Sequence, residues 1–238
     1  MNLNEFLINQ KTDIKNQFIN NMSKCLVATT LEKIKMHAVK YKWNLYSVNN
    51  TNKNKVIVIK KFNADFPELW VSSTHRNYRQ VFVKYLAQFF SVNDSLNSCY
   101  HVDHILPLSR FGRKYPQYFI RLFLLDKKTN CSFGAGYEKS LNHFESQKEL
   151  CGGFHLSGMT LLKLFGIKIP TKKSKEDERY NWAKETAKFL EKNGFGTWID
   201  IYPILLIGLY DGYRNINLCR RFTLSFGSMQ VQKLYDKY

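Results

Sequence analysis

Two imidazoles and a carboxylate lie within four residues, HVDH at 101–104, and an amide follows at Asn130. These types together suit hydrolysis of a phosphodiester, which needs a base to activate water, a divalent cation to stabilise developing charge, and cations to hold the backbone. His104 is a candidate general base, because imidazole is partly neutral near pH 7. Asp103 and Asn130 supply the hard oxygen ligands that Mg²⁺ or Mn²⁺ prefers. Arg110, Arg113, Lys114, Arg121, Lys127 and Lys128 oppose only Asp126 between residues 110 and 128, so a phosphate would meet a positive wall. Side chains alternate along a strand, which puts His101 on the face of Asp103 and makes it a second ligand or an alternative base. Asp103 and His104 can share a site only if the strand ends or twists near Pro107.

The segments that must position these residues are legible in the apolar pattern. Leu3, Phe6, Leu7, Ile14, Phe18 and Met22, then Leu31, Ile34 and Ala38, recur near helical spacing. Trp43–Val48 and Val56–Phe62 are β-favouring runs around an Asn-rich loop, which predicts a hairpin. Tyr78, Val81, Phe82, Tyr85, Leu86, Phe89 and Phe90 make the most regular helical stripe, and its aromatics read as core. A strand at Tyr100–Leu106, a basic loop RFGRKYPQ and a second strand at 118–125 follow. The segment DKKTNCSFGAG reads as turns and YEKSLNHFESQKEL as a helix ending before Gly152. KSKEDERYNWAKETAKFLEKNG is a further helix, with acids in its first turn and Gly194 past its end. His37, His75 and His155 have no partner by spacing and are read as structural, and His143 as a helix-packing residue.

The 238 residues allow a core that needs no staples. Five cysteines, scattered without a CxxC pair, argue against a disulfide framework and a zinc knuckle. No nucleophile arrangement can be assembled around Cys99 or Cys131, and FGAGYEKS lacks the ending of a nucleotide-binding phosphate loop. With Lys and Arg at 36 against 19 Asp and Glu, the net charge of +17 favours a polyanionic partner, nucleic acid first. There is no basic leader with an apolar core, and IDIYPILLIGLY at 199–210 is too short to span a bilayer, so the expectation is a cytoplasmic chain without a membrane partner.

HVDHILPLS resembles the first strand of HNH, or ββα-metal, nucleases, and more closely the HIEHILPQ-type pattern in the HNH part of GmrSD-type, modification-dependent restriction enzymes. Downstream, Leu122, Leu124, Leu125 and Asn130 fall in register with that branch's pattern of NLxLLxxxxN, and Tyr137 and Lys139 follow, one residue closer together than in the FxxK that comes after it in the branch. The resemblance covers roughly 45 residues and implies His104 as general base, Asp103 and Asn130 as metal ligands and Lys139 as a phosphate or structural contact. The family's central Asn is replaced by Arg121, which could contact substrate phosphate or mark lost activity. The implied architecture is α+β: a mostly helical region with one hairpin at 1–95, a ββα-metal module at 96–150 and a helical region at 151–238 packed with the rest. The implied reaction is Mg²⁺-dependent cleavage of DNA to 5′-phosphate and 3′-hydroxyl ends, in defence against phage or as a toxin. A partner NTPase or an immunity protein would then be expected. A non-catalytic nucleic-acid-binding protein and an RNase remain as alternatives.

Overall fold

The computed structural model describes residues 1–19, 27–62, 66–104, 116–135, 138 and 158–213. Lys139, Arg110, Arg113, Lys114, His143, His155 and the helix expected after Tyr137 therefore lie outside the described residues, Glu138 apart. The protein is mixed α+β and divides into two compact units: residues 1–131 with 142–168, and residues 132–141 with 169–238.

The first unit is built on an antiparallel sheet in the order β1-β6-β4-β3-β2, with β5 paired to β6. The strands are β1 Val27–Ala28, β2 Asn44–Tyr46, β3 Val56–Lys60, β4 Glu68–Ser72, β5 Tyr100–His104 and β6 Phe119–Asp126. The expected hairpin is β2–β3, in the register Leu45↔Ile59. β3 reads VIVIK because it is buried on both faces, so alternation cannot show itself in its composition. Val56 and Val58 join one cluster with Leu3 and Phe6 of α1 (Leu3–Ile19) and Val81, Phe82, Tyr85 and Leu86 of α3 (Tyr78–Phe90). Ile57 and Ile59 join another with Leu31 and Ile34 of α2 (Leu31–Tyr41).

α2 starts where Thr30, extended at φ −149° and ψ 163°, accepts a hydrogen bond from the Lys33 N–H at 3.2 Å. This satisfies one of the four N–H groups that a helix start leaves unpaired. Thr30→Ala is expected to lower stability by about 1 kcal/mol, read by chemical denaturation, with Thr30→Ser close to wild type.

β4 has no counterpart in the sequence reading. Five residues, ELWVS, are too few to show a period, yet β4 bridges β3 and β6 in the middle of the sheet. The segment read as turns after β6 is instead helix α4, Lys127–Ala135. Asp126 caps it, accepting from the Thr129 N–H at 2.9 Å and the Thr129 hydroxyl at 3.1 Å. The chain thus runs strand, strand, helix through β5, β6 and α4, and β6 is also part of the larger sheet. Helix α5 follows at Gly158–Phe165.

In the second unit α6 (Glu176–Lys192) packs on α7 (Trp198–Tyr213), and Ala183, Ala187 and Leu190 of the one and Leu205, Leu206 and Leu209 of the other are buried. Among the described residues no helix is long and apolar enough to cross a membrane.

Candidate functional site

β5 is held at its start by two residues that donate to backbone carbonyls. The Arg79 guanidinium of α3 donates to the Tyr100 carbonyl at 3.1 Å and the Leu96 carbonyl at 2.8 Å. The Lys127 N–H donates to the Cys99 carbonyl at 2.8 Å, which ties the first residue of α4 to the entry of β5. β5 and β6 then pair from Tyr100↔Asp126 to His104↔Leu122.

Along β5 burial alternates as strand geometry requires. Val102 and His104 are buried, whereas His101 and Asp103 are half-buried on the opposite face. On the open face Asn130, one turn into α4, brings its amide to 3.2 Å from His101 Nδ1. The Thr129 hydroxyl shares its one proton between Asp126 Oδ1 and the Gly166 carbonyl, 3.1 Å away just beyond α5, which fixes this turn. Lys163 of α5 places its Nζ 2.6 Å from Asp103 Oδ2; it is 2 % exposed, against 19 % for Asp103. His101, Asp103 and Asn130 thus share the face that strict alternation assigns to the first two.

His104 lies on the other face, 4 % exposed, its ring edge-on to Tyr78 with centroids 4.2 Å apart. Its Nε2 is buried and has no hydrogen-bond partner among the described residues. Burial, with the added charge of nearby His75, pushes its pKa down to about 3, so the ring is neutral near pH 7. His75, just after β4, also has a buried Nε2 without a partner among the described residues, and burial and then Lys55 lower its pKa too. β5 keeps regular alternation through His104, its last residue, and Pro107, where a turn of His104 towards Asp103 was expected, lies outside the described residues.

Arg121 requires a correction. Its guanidinium is 2 % exposed in the middle of β6 and is spent inside the protein: 2.9 Å to Asp13 Oδ2, 2.9 Å to Glu68 Oε1 and 3.1 Å to Gln17 Oε1. It also lies 4.6 Å over the Phe123 ring. A side chain so enclosed cannot reach a phosphate, so its role is in the core. Lys61 completes the network at 2.7 Å from Glu68, whose other oxygen accepts from Trp70 Nε1 at 3.0 Å. Although burial opposes it, the Arg121 and Lys61 cations hold Glu68 below the usual carboxylate range.

Lys127 and Lys128 are exposed in the first turn of α4, beside Asn130. Cations there oppose the helix dipole, so α4 gains nothing from them, and they remain available to an anion. Lys163 was missed in the sequence, although it had one signal, a single charge inside the apolar helix GMTLLKLF. The closeness of His75 to His104, 29 residues away in the chain, had none.

A cation would find oxygen donors in Asp103 and Asn130 and an imidazole in His101, a set that suits Mg²⁺ or Mn²⁺ in kind. Among the described residues no three His, Cys, Asp or Glu side chains could hold a metal, so the Asn130 amide would have to serve as a ligand. Lys163 occupies one Asp103 oxygen and leaves the other. Comparison of the chain with models of protein families, with curated proteins and with solved structures finds no match.

Proposed function

We propose that this chain is a divalent-metal-dependent endonuclease of the HNH type that hydrolyses DNA. The observation that carries the reading is the meeting of His101 and Asn130 at 3.2 Å, on the face of Asp103, within a strand–strand–helix unit whose first strand is HVDH. Asp103 and Asn130 would hold the cation, which supplies Lewis-acid stabilisation of charge building on the phosphate.

The remaining work falls to the chain. Lys127 and Lys128 sit where a strand's phosphates would approach Asn130, and the net charge of +17 supplies long-range attraction. Water adds to phosphorus as the bond to the 3′ oxygen breaks, and an imidazole removes the water's proton. The resemblance assigns that role to His104, whereas the open face offers His101. If the Asn130 amide turns its oxygen to His101 Nδ1–H, Nε2 is left as the free acceptor. In the other orientation Asn130 Oδ1 is left for the cation.

Plasmid cleavage with Mg²⁺ or Mn²⁺, with and without chelator, tests the reading. Wild type should nick the plasmid, chelator should stop it, and Asn130→Ala should slow it about 10–100-fold. Comparing His101→Ala with His104→Ala identifies the base, since only the acceptor's loss is restored by raising pH. No cutting of DNA or RNA by wild type with either metal would reject the proposal.

A second reading, a nucleic-acid-binding protein without activity, is favoured by the Asp103–Lys163 pair and the burial of His104. In that case His101→Ala, Asp103→Asn and His104→Ala would leave DNA retention unchanged while wild type never cuts. Defence against phage or a toxin role, with an NTPase or immunity protein as partner, stays part of the proposal and follows only if cleavage is found.

A further inference from the structure

Away from the β5–α4 face, the end of α2 carries an aromatic cluster that the proposed chemistry does not use. Lys33, His37, Lys40 and Tyr41 stand at i, i+4, i+7 and i+8, one face of the helix. Lys42 then adopts the left-handed conformation at φ 55°, its N–H bonding back to Ala38 and Val39, and the chain reverses so that Trp43 N–H donates to the Ala38 carbonyl at 2.8 Å. This turn brings Trp43 beside the helix face. The His37, Tyr41 and Trp43 rings lie 5.5–6.2 Å apart, centroid to centroid, and within 26–28° of parallel.

The cluster is open outside and fixed inside. Tyr41 is 46 % exposed, and Trp43 and His37 are half-buried. From below, the Lys61 Nζ sits 5.4 Å over the Trp43 ring while paired to Glu68, so the buried ion network pins the indole. Lys40 lies 5.0 Å over Tyr41. Lys33, Lys40 and Lys42 are exposed, and none forms an ion pair among the described residues. A rigid aromatic surface loses little entropy when a flat ligand stacks on it.

We propose that this patch binds single-stranded nucleic acid, with unpaired bases stacking on the Tyr41–Trp43–His37 rings and Lys33, Lys40 and Lys42 holding the backbone. The lysines repel a cationic ligand, and a duplex hides its base faces, so the combination of stacking rings and unpaired ammonium groups fits an anionic chain with exposed bases. The inference does not rest on the nuclease reading, because it concerns retention and uses other residues.

The test is fluorescence anisotropy of a labelled oligothymidylate of about 15 nucleotides with the full chain in EDTA, beside a duplex of equal length and phosphatidylserine vesicles. The single strand should bind more tightly than either competitor and quench tryptophan fluorescence. Tyr41→Ala and Trp43→Ala should each weaken it about tenfold, with Tyr41→Phe close to wild type. Lys33→Gln with Lys40→Gln should lower the salt slope of log K by about 1.4, about 0.7 for each contact. Should Trp43→Ala fail to fold, Tyr41→Ala and the lysine pair decide. Wild-type affinity in Tyr41→Ala, an unchanged salt slope, or tighter binding of duplex or vesicles overturns the proposal. Because EDTA stops any metal-dependent cleavage, loss of cutting with retained binding counts against the nuclease alone, and the reverse against this patch alone.

Discussion

Arg121→Met is expected to destabilise the first unit by about 3–5 kcal/mol, which is comparable with the whole stability of many domains. The guanidinium compensates two carboxylates, Asp13 and Glu68, and Glu68 is almost fully buried. Removing the cation leaves, among the described residues, Lys61 beside two acids, so the loss is that of an uncompensated buried charge, well above that of a surface ion pair. Arg121→Lys should recover only part, since one ammonium cannot span Asp13 and Glu68 as a planar fork does. The measurement is urea denaturation, with DNA retention recorded on folded protein. If Arg121 touched substrate instead, retention would fall while the denaturation midpoint stayed in place, and that outcome would reverse the assignment.

The second large effect is acid lability centred on His104. Its native pKa is about 3 against an ordinary value of 6.5. Between these values the unfolded chain binds a proton that the native chain refuses, so stability is fully present above about pH 6.5 and declines as pH falls towards 3. One group shifted this far contributes a slope of about 1.4 kcal/mol per pH unit, and a total on the order of 5 kcal/mol. His75, shifted in the same direction, adds to it. His104→Phe keeps a ring against Tyr78 and removes both the titration and the unpartnered Nε2, whose burial costs about 1–3 kcal/mol. The variant should therefore be at least as stable as wild type at pH 7.5 and should show a much flatter profile from pH 6.5 to 4. An equally steep acid limb in His104→Phe would show that another group controls it.

The two variants also separate structural from chemical roles at the positions where the resemblance speaks most directly. Arg121 stands where the resemblance would place a central Asn, and the network explains what an arginine does there without any substrate. His104 is buried and neutral near pH 7 and off the Asp103 face, so its loss of activity, if found, has to be weighed against His101, which stands beside Asn130.

Much was readable from residue order alone. The periodicity of α3 and the acids opening α6 are local properties, governed by contacts within a turn or two, and the structure has both helices there. Alternation along HVDH places His101 with Asp103 and Val102 with His104, because the backbone of a strand dictates it whatever surrounds it. What residue order could not convey was which neighbours close around each face. Arg121 looks like any basic residue near a basic loop until Asp13 and Glu68, 108 and 53 residues away, are brought to it. Asp103 looks like a free ligand until Lys163, 60 residues on, reaches it. β4 was invisible because five residues buried on all sides show no period, and α4 because Asp126, acting as a cap, outweighed the turn-forming composition after it. Local backbone geometry is encoded within a few residues, whereas charge compensation and burial are set by chain segments that meet only after folding, and these decided which of the candidate residues face an open surface.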